Sequence, residues 1–219
     1  MTVKEPNDSR FLLRGPAGNI EARLTRESES GTLAERRLIA VICHPHPVHG
    51  GTMDNKVVTT LVRAYRDLGI KSVSFNFRGV GGSEGGFDNG VGELDDLLAV
   101  IEWVKKAHPG DDLLLAGFSF GSSIAAQACF RGADVHHLTL VAPPVERYPY
   151  DREGGFPCPV VVVQGDRDER VHAAGVYEWV AGLKSPAELI RYEEAGHFFH
   201  GYLTNLKEDL SPAIARQLA

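Results

Sequence analysis

The stretch Leu113-Leu114-Leu115-Ala116-Gly117-Phe118-Ser119-Phe120-Gly121 decides the fold. Its first half is apolar at every position, the pattern of a strand buried on both faces. Gly117, Ser119 and Gly121 then fit the G-x-S-x-G spacing, in which a strand turns sharply into a helix and presents a serine on strained backbone. Small neighbours are needed because the strand and helix backbones approach closely there. The following residues, Ser122 to Ala128, are mostly small and suit a helix packed tightly on a sheet. Such a unit belongs in a doubly wound α/β sheet, whose ligands sit beyond the C-terminal ends of the strands.

Outward from this stretch, apolar runs at 38–43, 71–75, 138–141, 160–164 and 188–192 predict further buried strands. Between them, Val58, Leu61, Val62, Tyr65 and Leu68 fall on one helical face, and Gly69 supplies the stop. Leu94, Leu97, Leu98, Ile101 and Val104 repeat the period, with acids at the start and Lys105-Lys106 at the end, as the helix dipole favours. Near the N-terminus, segments 11–14 and 20–24 flank Gly15-Pro16-Ala17-Gly18-Asn19, a hairpin signal. Residues 1–9 read as a loose start to one domain spanning 1–219.

The formal net charge of −6, with no strongly basic end, disfavours nucleic acid as a partner. No apolar core follows basic residues within positions 1–20, so no signal peptide is expected. The apolar runs are far short of the roughly 20 residues of a membrane span. Cys43, Cys129 and Cys158, odd in number and widely spaced, read as packed reduced thiols of a cytoplasmic protein.

A serine hydroxyl needs a base, and the base an orienting acid. Gly165-Asp166-Arg167-Asp168 follows the 160–164 strand, and Gly196-His197-Phe198-Phe199-His200 follows the 188–192 strand. Serine, acid, histidine is the chain order in which this constellation occurs at strand C-terminal ends. Asp166 and Asp168 both remain open as the acid, and His200 is a weaker base than His197. His44, His46 and His49 alternate with prolines and share no regular face, so a metal centre is not expected. Asn76–Gly82 lacks the lysine ending of a phosphate loop and reads as a structural turn near the site. No cofactor is implied.

From about residue 38 to 205 the chain resembles the α/β-hydrolases, specifically small lidless bacterial members of the dienelactone-hydrolase-like group. The resemblance rests on His44-Pro45-His46-Pro47 with Gly50-Gly51, Asn76-Phe77-Arg78-Gly79-Val80-Gly81, the Ser119 elbow, Gly165-Asp166-Arg167-Asp168 and Gly196-His197-Phe198-Phe199. It implies the α/β-hydrolase fold and Ser119, Asp168 and His197 as the catalytic triad. Dienelactone hydrolases proper carry cysteine where this chain has Ser119, which favours serine esterase or thioesterase chemistry. Two backbone N–H groups should form the oxyanion hole. One is that of Phe120, first in the helix after the nucleophile. For the other, Pro45 and Pro47 have no N–H, leaving His46 and Val48, of which His46 matches the family position.

Relatives often carry a lid between the strand after the nucleophile helix and the strand before the acid. Here residues 142–159 contain Pro143, Pro144, Pro149, Pro157 and Pro159 and accommodate no two-helix cap. The expected site is open, with Pro143, Val145 and Phe198 against the substrate, a small acyl compound cleaved by water. The competing expectations are an amidase for short peptides or aminoacyl groups, and a binding protein that retains the fold without catalysis.

Overall fold

Strands alternating with helices close into one eight-stranded sheet. The computed structural model describes residues 8–150 and 155–218. The strands are β1 (Asp8–Gly15), β2 (Gly18–Thr25), β3 (Leu38–Cys43), β4 (Lys71–Phe75), β5 (Asp112–Phe118), β6 (His137–Val141), β7 (Val160–Gly165) and β8 (Ala187–Tyr192). They lie in the order β1-β2-β4-β3-β5-β6-β7-β8. The six strands from β4 to β8 in that order pair in parallel, and the β1–β2 hairpin joins antiparallel at the β4 edge.

Period-two alternation within the apolar runs builds two cores at once. Ile39, Val41 and Cys43 of β3 point to one face, Leu38, Ala40 and Ile42 to the other. Helices α2 (Val91–Ala107), α3 (Phe120–Phe130) and α4 (Ala173–Ala181) cover the first face, and α1 (Lys56–Leu68) and α5 (Leu203–Leu218) the second. Each fully buried branched side chain contributes on the order of 1.5–3 kcal/mol, which makes this double-sided sheet the rigid base of the molecule.

Helix α1 starts where the Asn55 side chain accepts the Val57 N–H at 2.9 Å and stops at Gly69, whose φ of 87° continues no helix. The hairpin begins earlier than expected: Asp8 and Ser9, read as part of a loose start, already pair with Thr25 and Leu24. Residues 1–7 of that segment lie outside the described residues. Beyond the expected elements stand α4 and α5. The described parts of 142–159, residues 142–150 and 155–159, contain no helix. Among the described residues, no helix is long and apolar enough to cross a membrane.

Candidate active site

The elbow takes the shape that its spacing demands. Ser119 adopts φ 53° and ψ −121°, a left-handed conformation that costs a non-glycine residue roughly 1–3 kcal/mol. Its N–H is held by Val141 O at 2.8 Å, and its carbonyl accepts the Ser122 N–H at 2.9 Å and the Ser122 hydroxyl at 2.5 Å. A Cβ at Gly117 would stand 2.3 Å from Gly121 O, and one at Gly121 2.4 Å from His44 O. Any side chain at either glycine would push α3 off the sheet and carry Ser119 with it.

The acid loop after β7 and the histidine loop after β8 are locked together by the same device. A Cβ on Gly165 would lie 2.2 Å from Ala195 O, so only glycine lets the loops touch. Across that contact the Asp166 N–H donates to Tyr192 O at 2.9 Å and the Arg167 N–H to Ala195 O at 3.1 Å. Asp168 then turns inward and Asp166 outward.

Asp168 Oδ1 accepts the N–H groups of Arg170 and Val171, each at 2.8 Å. Its Oδ2 accepts from Gln164 Nε2 at 3.1 Å and from His197 Nδ1 at 2.8 Å. Burial pushes this carboxyl up, but the His197 hydrogen bond and charge with the two N–H donors outweigh it and hold it below its ordinary value. An ionised carboxylate only accepts, so Nδ1 carries the imidazole proton and Nε2 is free to accept. Ser119 Oγ lies 3.0 Å from that Nε2. The structure thus brings Ser119, His197 and Asp168 into one hydrogen-bonded chain, with the His197 and Asp168 side chains 3% and 0% exposed. Asp166 instead bonds Tyr177 and, at 2.8 Å, Arg191. His200 is exposed, its ring beside that of Phe198.

The loop after β3 runs beside the start of α3. His46 packs on Phe120 with ring centroids 5.0 Å apart, and its Nδ1 accepts the Val48 N–H at 3.3 Å. The Phe120 N–H is one of the helix-start donors that α3 itself cannot satisfy. His44 is buried and serves as a clasp. Its Nδ1 donates to Pro45 O at 2.6 Å and its Nε2 accepts the Phe77 N–H at 3.0 Å, tying this loop to the one after β4. Both ring nitrogens are thereby occupied, and burial holds its pKa down to about 4. In the neighbouring turn Arg78 forks onto Asp96, at 3.0 and 2.8 Å, and Asn76 Oδ1 accepts the Met53 N–H, so that segment is structural as expected.

Ser119, His197 and Phe120 open into a cavity of about 240 Å³. Phe198 lines it as expected, but Pro143 and Val145 do not. Pro143 is still buried at the end of β6, and a tight turn closed by the Val145 N–H on Pro143 O at 2.8 Å sends Val145 back into the core. The wall is formed instead by Pro144, Arg147 and Tyr148, facing Arg170 and Phe198. Arg147 and Arg170 were not singled out on sequence. Arg170 could have been found from its position two residues after Asp168, on a loop already assigned to the site.

This arrangement has relatives. The sequence model of a family described as Serine aminopeptidase, S33, matches residues 39–151. An alpha-beta serine hydrolase homologue from Coxiella burnetii is 45% identical, with a TM-score of 0.88 over 94% of this chain and 96% of that one. A serine hydrolase without lid from Xanthomonas campestris is 38% identical, with a TM-score of 0.89 over 99% of this chain and 97% of that one. An uncharacterised protein from Rickettsia prowazekii is 38% identical over 213 residues, 93% of this chain and 86% of the relative. With an elbow serine, an eight-stranded α/β sheet and no helical cap among its described residues, the chain belongs to the family described as Serine aminopeptidase, S33, among the lidless α/β serine hydrolases.

Proposed function

We propose that this protein cleaves small soluble carboxylic esters or thioesters through an acyl-enzyme on Ser119. The observation that carries the reading is the unbroken chain from Ser119 Oγ to His197 Nε2 at 3.0 Å and from His197 Nδ1 to Asp168 at 2.8 Å. In the first half-reaction Ser119 Oγ attacks the carbonyl carbon and its proton passes to His197 Nε2. Asp168 orients the imidazole and balances its charge. The N–H groups of Phe120 and His46 receive the developing oxyanion. The tetrahedral intermediate collapses by expelling the alcohol or thiol, which takes the proton from His197. Water then attacks the acyl-serine by the same relay and releases the acid.

Size and openness favour small substrates. The cavity of about 240 Å³ must hold both acyl and leaving groups, and it falls below the roughly 300–1,000 Å³ of pockets that enclose drug-sized ligands. An acyl chain gains about 0.8 kcal/mol per CH₂ only where walls exclude water. Without a lid, little should be gained beyond about four acyl carbons. On p-nitrophenyl esters of two to twelve carbons, kcat/KM should peak at acetyl to butyryl and be flat or falling by octanoyl. A steady rise to dodecanoyl would reveal a buried acyl tunnel.

The family description favours a second reading, an aminopeptidase. Its substrate presents a free ammonium group, which the guanidinium groups of Arg147 and Arg170 in the cavity wall would repel. A fluorophosphonate probe should label the wild type and not Ser119→Ala; no labelling would leave only a binding role. Aminoacyl p-nitroanilides turned over faster than the esters would move the assignment to the peptidase. We place the protein in the cytoplasm, in keeping with its three buried free cysteines.

A further inference from the structure

The cavity at Ser119 adjoins a second, smaller cleft of about 90 Å³, and the two share Pro144, Arg147, Arg170 and Val171 in their walls. A substrate group that extends from Ser119 into the cleft therefore runs along a wall that carries both Arg147 and Arg170. At this size the cleft suits a compact polar group and no longer chain.

Arg170 is held in place. Its N–H is bonded to Asp168 Oδ1 at 2.8 Å, and its guanidinium lies 5.2 Å from the centre of the Phe198 ring, itself packed edge-on to His197. Its nearest carboxylate, Glu169, is 3.9 Å away in a half-exposed pair and also accepts the His197 N–H at 3.1 Å. Arg147 has no carboxylate partner among the described residues. Glu146, on the cleft wall, stands 3.3 Å from His172. His46 and His49 complete the Ser119 side of the wall, which contains no acidic residue among those described.

The whole protein carries a formal charge of −6, so its overall field repels anions. Charges within a Debye length of about 8–10 Å outweigh that distant field at physiological salt. Two guanidinium groups in the wall shared by the serine cavity and the cleft reverse the sign where a substrate lies. Guanidinium matches carboxylate and phosphate with a planar fork of donors.

We propose that the substrate carries an anionic group, a carboxylate or phosphate, that lies between Arg147 and Arg170 when its scissile carbonyl is at Ser119. This rests on the ester hydrolase reading and names the substrate class of that same site. Carboxylate probes can approach from either side of the ester. On the acyl side, p-nitrophenyl hydrogen adipate is compared with p-nitrophenyl hexanoate. On the leaving-group side, 4-acetoxybenzoate is compared with its methyl ester.

The quantity read is the ratio of kcat/KM for the charged ester to that for its neutral match, at low salt and after subtracting the uncatalysed rate. In wild type at least one pair should favour the charged ester about tenfold, as a pair of poorly screened charges allows. The arm that shows it tells which part of the substrate bears the anion. Arg147→Gln/Arg170→Gln should bring that ratio to near one, and so should about 0.5 M salt on the wild type, which needs no variant. Ratios near one in both arms of the wild type, with the neutral esters turned over, overturn this inference and leave the hydrolase reading standing. A preference that survives both the double variant and salt also overturns it. Turnover of none of the four esters overturns the hydrolase reading and the inference with it.

Discussion

Asp166 and Asp168 lie two residues apart on one loop, and both carboxyls are held below their ordinary range. For Asp166 the causes are the hydrogen bonds from Arg191 and Tyr177 at the surface. For Asp168 burial opposes ionisation, and the His197 contact with two main-chain N–H donors overcomes it. Both are ionised at neutral pH, so charge state does not separate them. Direction does. Asp168 has every partner inside the fold and one of them is the imidazole, whereas Asp166 spends its oxygens on two side chains far from Ser119. A depressed carboxylate marks a strong set of donors, and only geometry tells whether one of those donors is a base.

The largest effect should come from breaking the chain that Asp168 anchors. Ser119→Ala and His197→Ala are each expected to lower kcat by about 10⁴–10⁶, with the double variant little worse than either, because the residues act as a unit. Additive losses in steady-state assays on p-nitrophenyl acetate would show that they do not.

Next, Asp168→Asn should fold normally, as checked by circular dichroism, and lose about 10⁴ in kcat because the imidazole is left in the wrong tautomer. A mild loss there, paired with a severe one in Asp166→Asn, would transfer the role of acid to the outer residue.

Acid titration sharpens the contrast further. With folded values below 3.8, both aspartates contribute stability that is fully present above about pH 4 and is lost only as pH falls below it. The buried histidines behave differently. His44 and His137 are pushed down to about 4 by burial, so between pH 6.5 and 4 the unfolded chain binds more protons than the folded one. Their stabilisation is complete above 6.5 and falls through that window by up to about 1.4 kcal/mol per pH unit for each histidine. Guanidinium midpoints should therefore decline from pH 6.5 to 4.5. A flat midpoint over that range would mean that both rings take up protons in the folded state.

The smallest effect belongs to Asp166→Asn, which should leave kcat within about threefold of wild type, since exposed ion pairs contribute little. A loss of a hundredfold or more would make the outer carboxylate part of the reaction.

Much of this was readable in the chain because apolar runs and elbow spacing are local. Six of the eight strands were placed to within a residue at each end, and the structure brings Ser119, His197 and Asp168 into one hydrogen-bonded chain. The choice between Asp166 and Asp168 needed the resemblance, because which way each carboxylate turns depends on the crossing with Ala195. Helix α4 escaped because it buries only Val176 and so has no stripe. Helix α5 does have one, in Leu206, Leu210, Ala213, Ile214 and Leu218, but Pro212 within it reads as a break. Pro143 and Val145 were misplaced because a single tight turn decides which of three successive residues meets the cavity, and apolar character does not distinguish them.

Ser119 stands at φ 53°, where glycine would be more comfortable. Replacing it with glycine should relieve backbone strain and raise the melting temperature while removing the nucleophile. A library screened for heat resistance alone would drift toward glycine at this codon and enrich inert proteins. Thermostabilising this scaffold by blind selection would therefore require every round to be coupled to turnover.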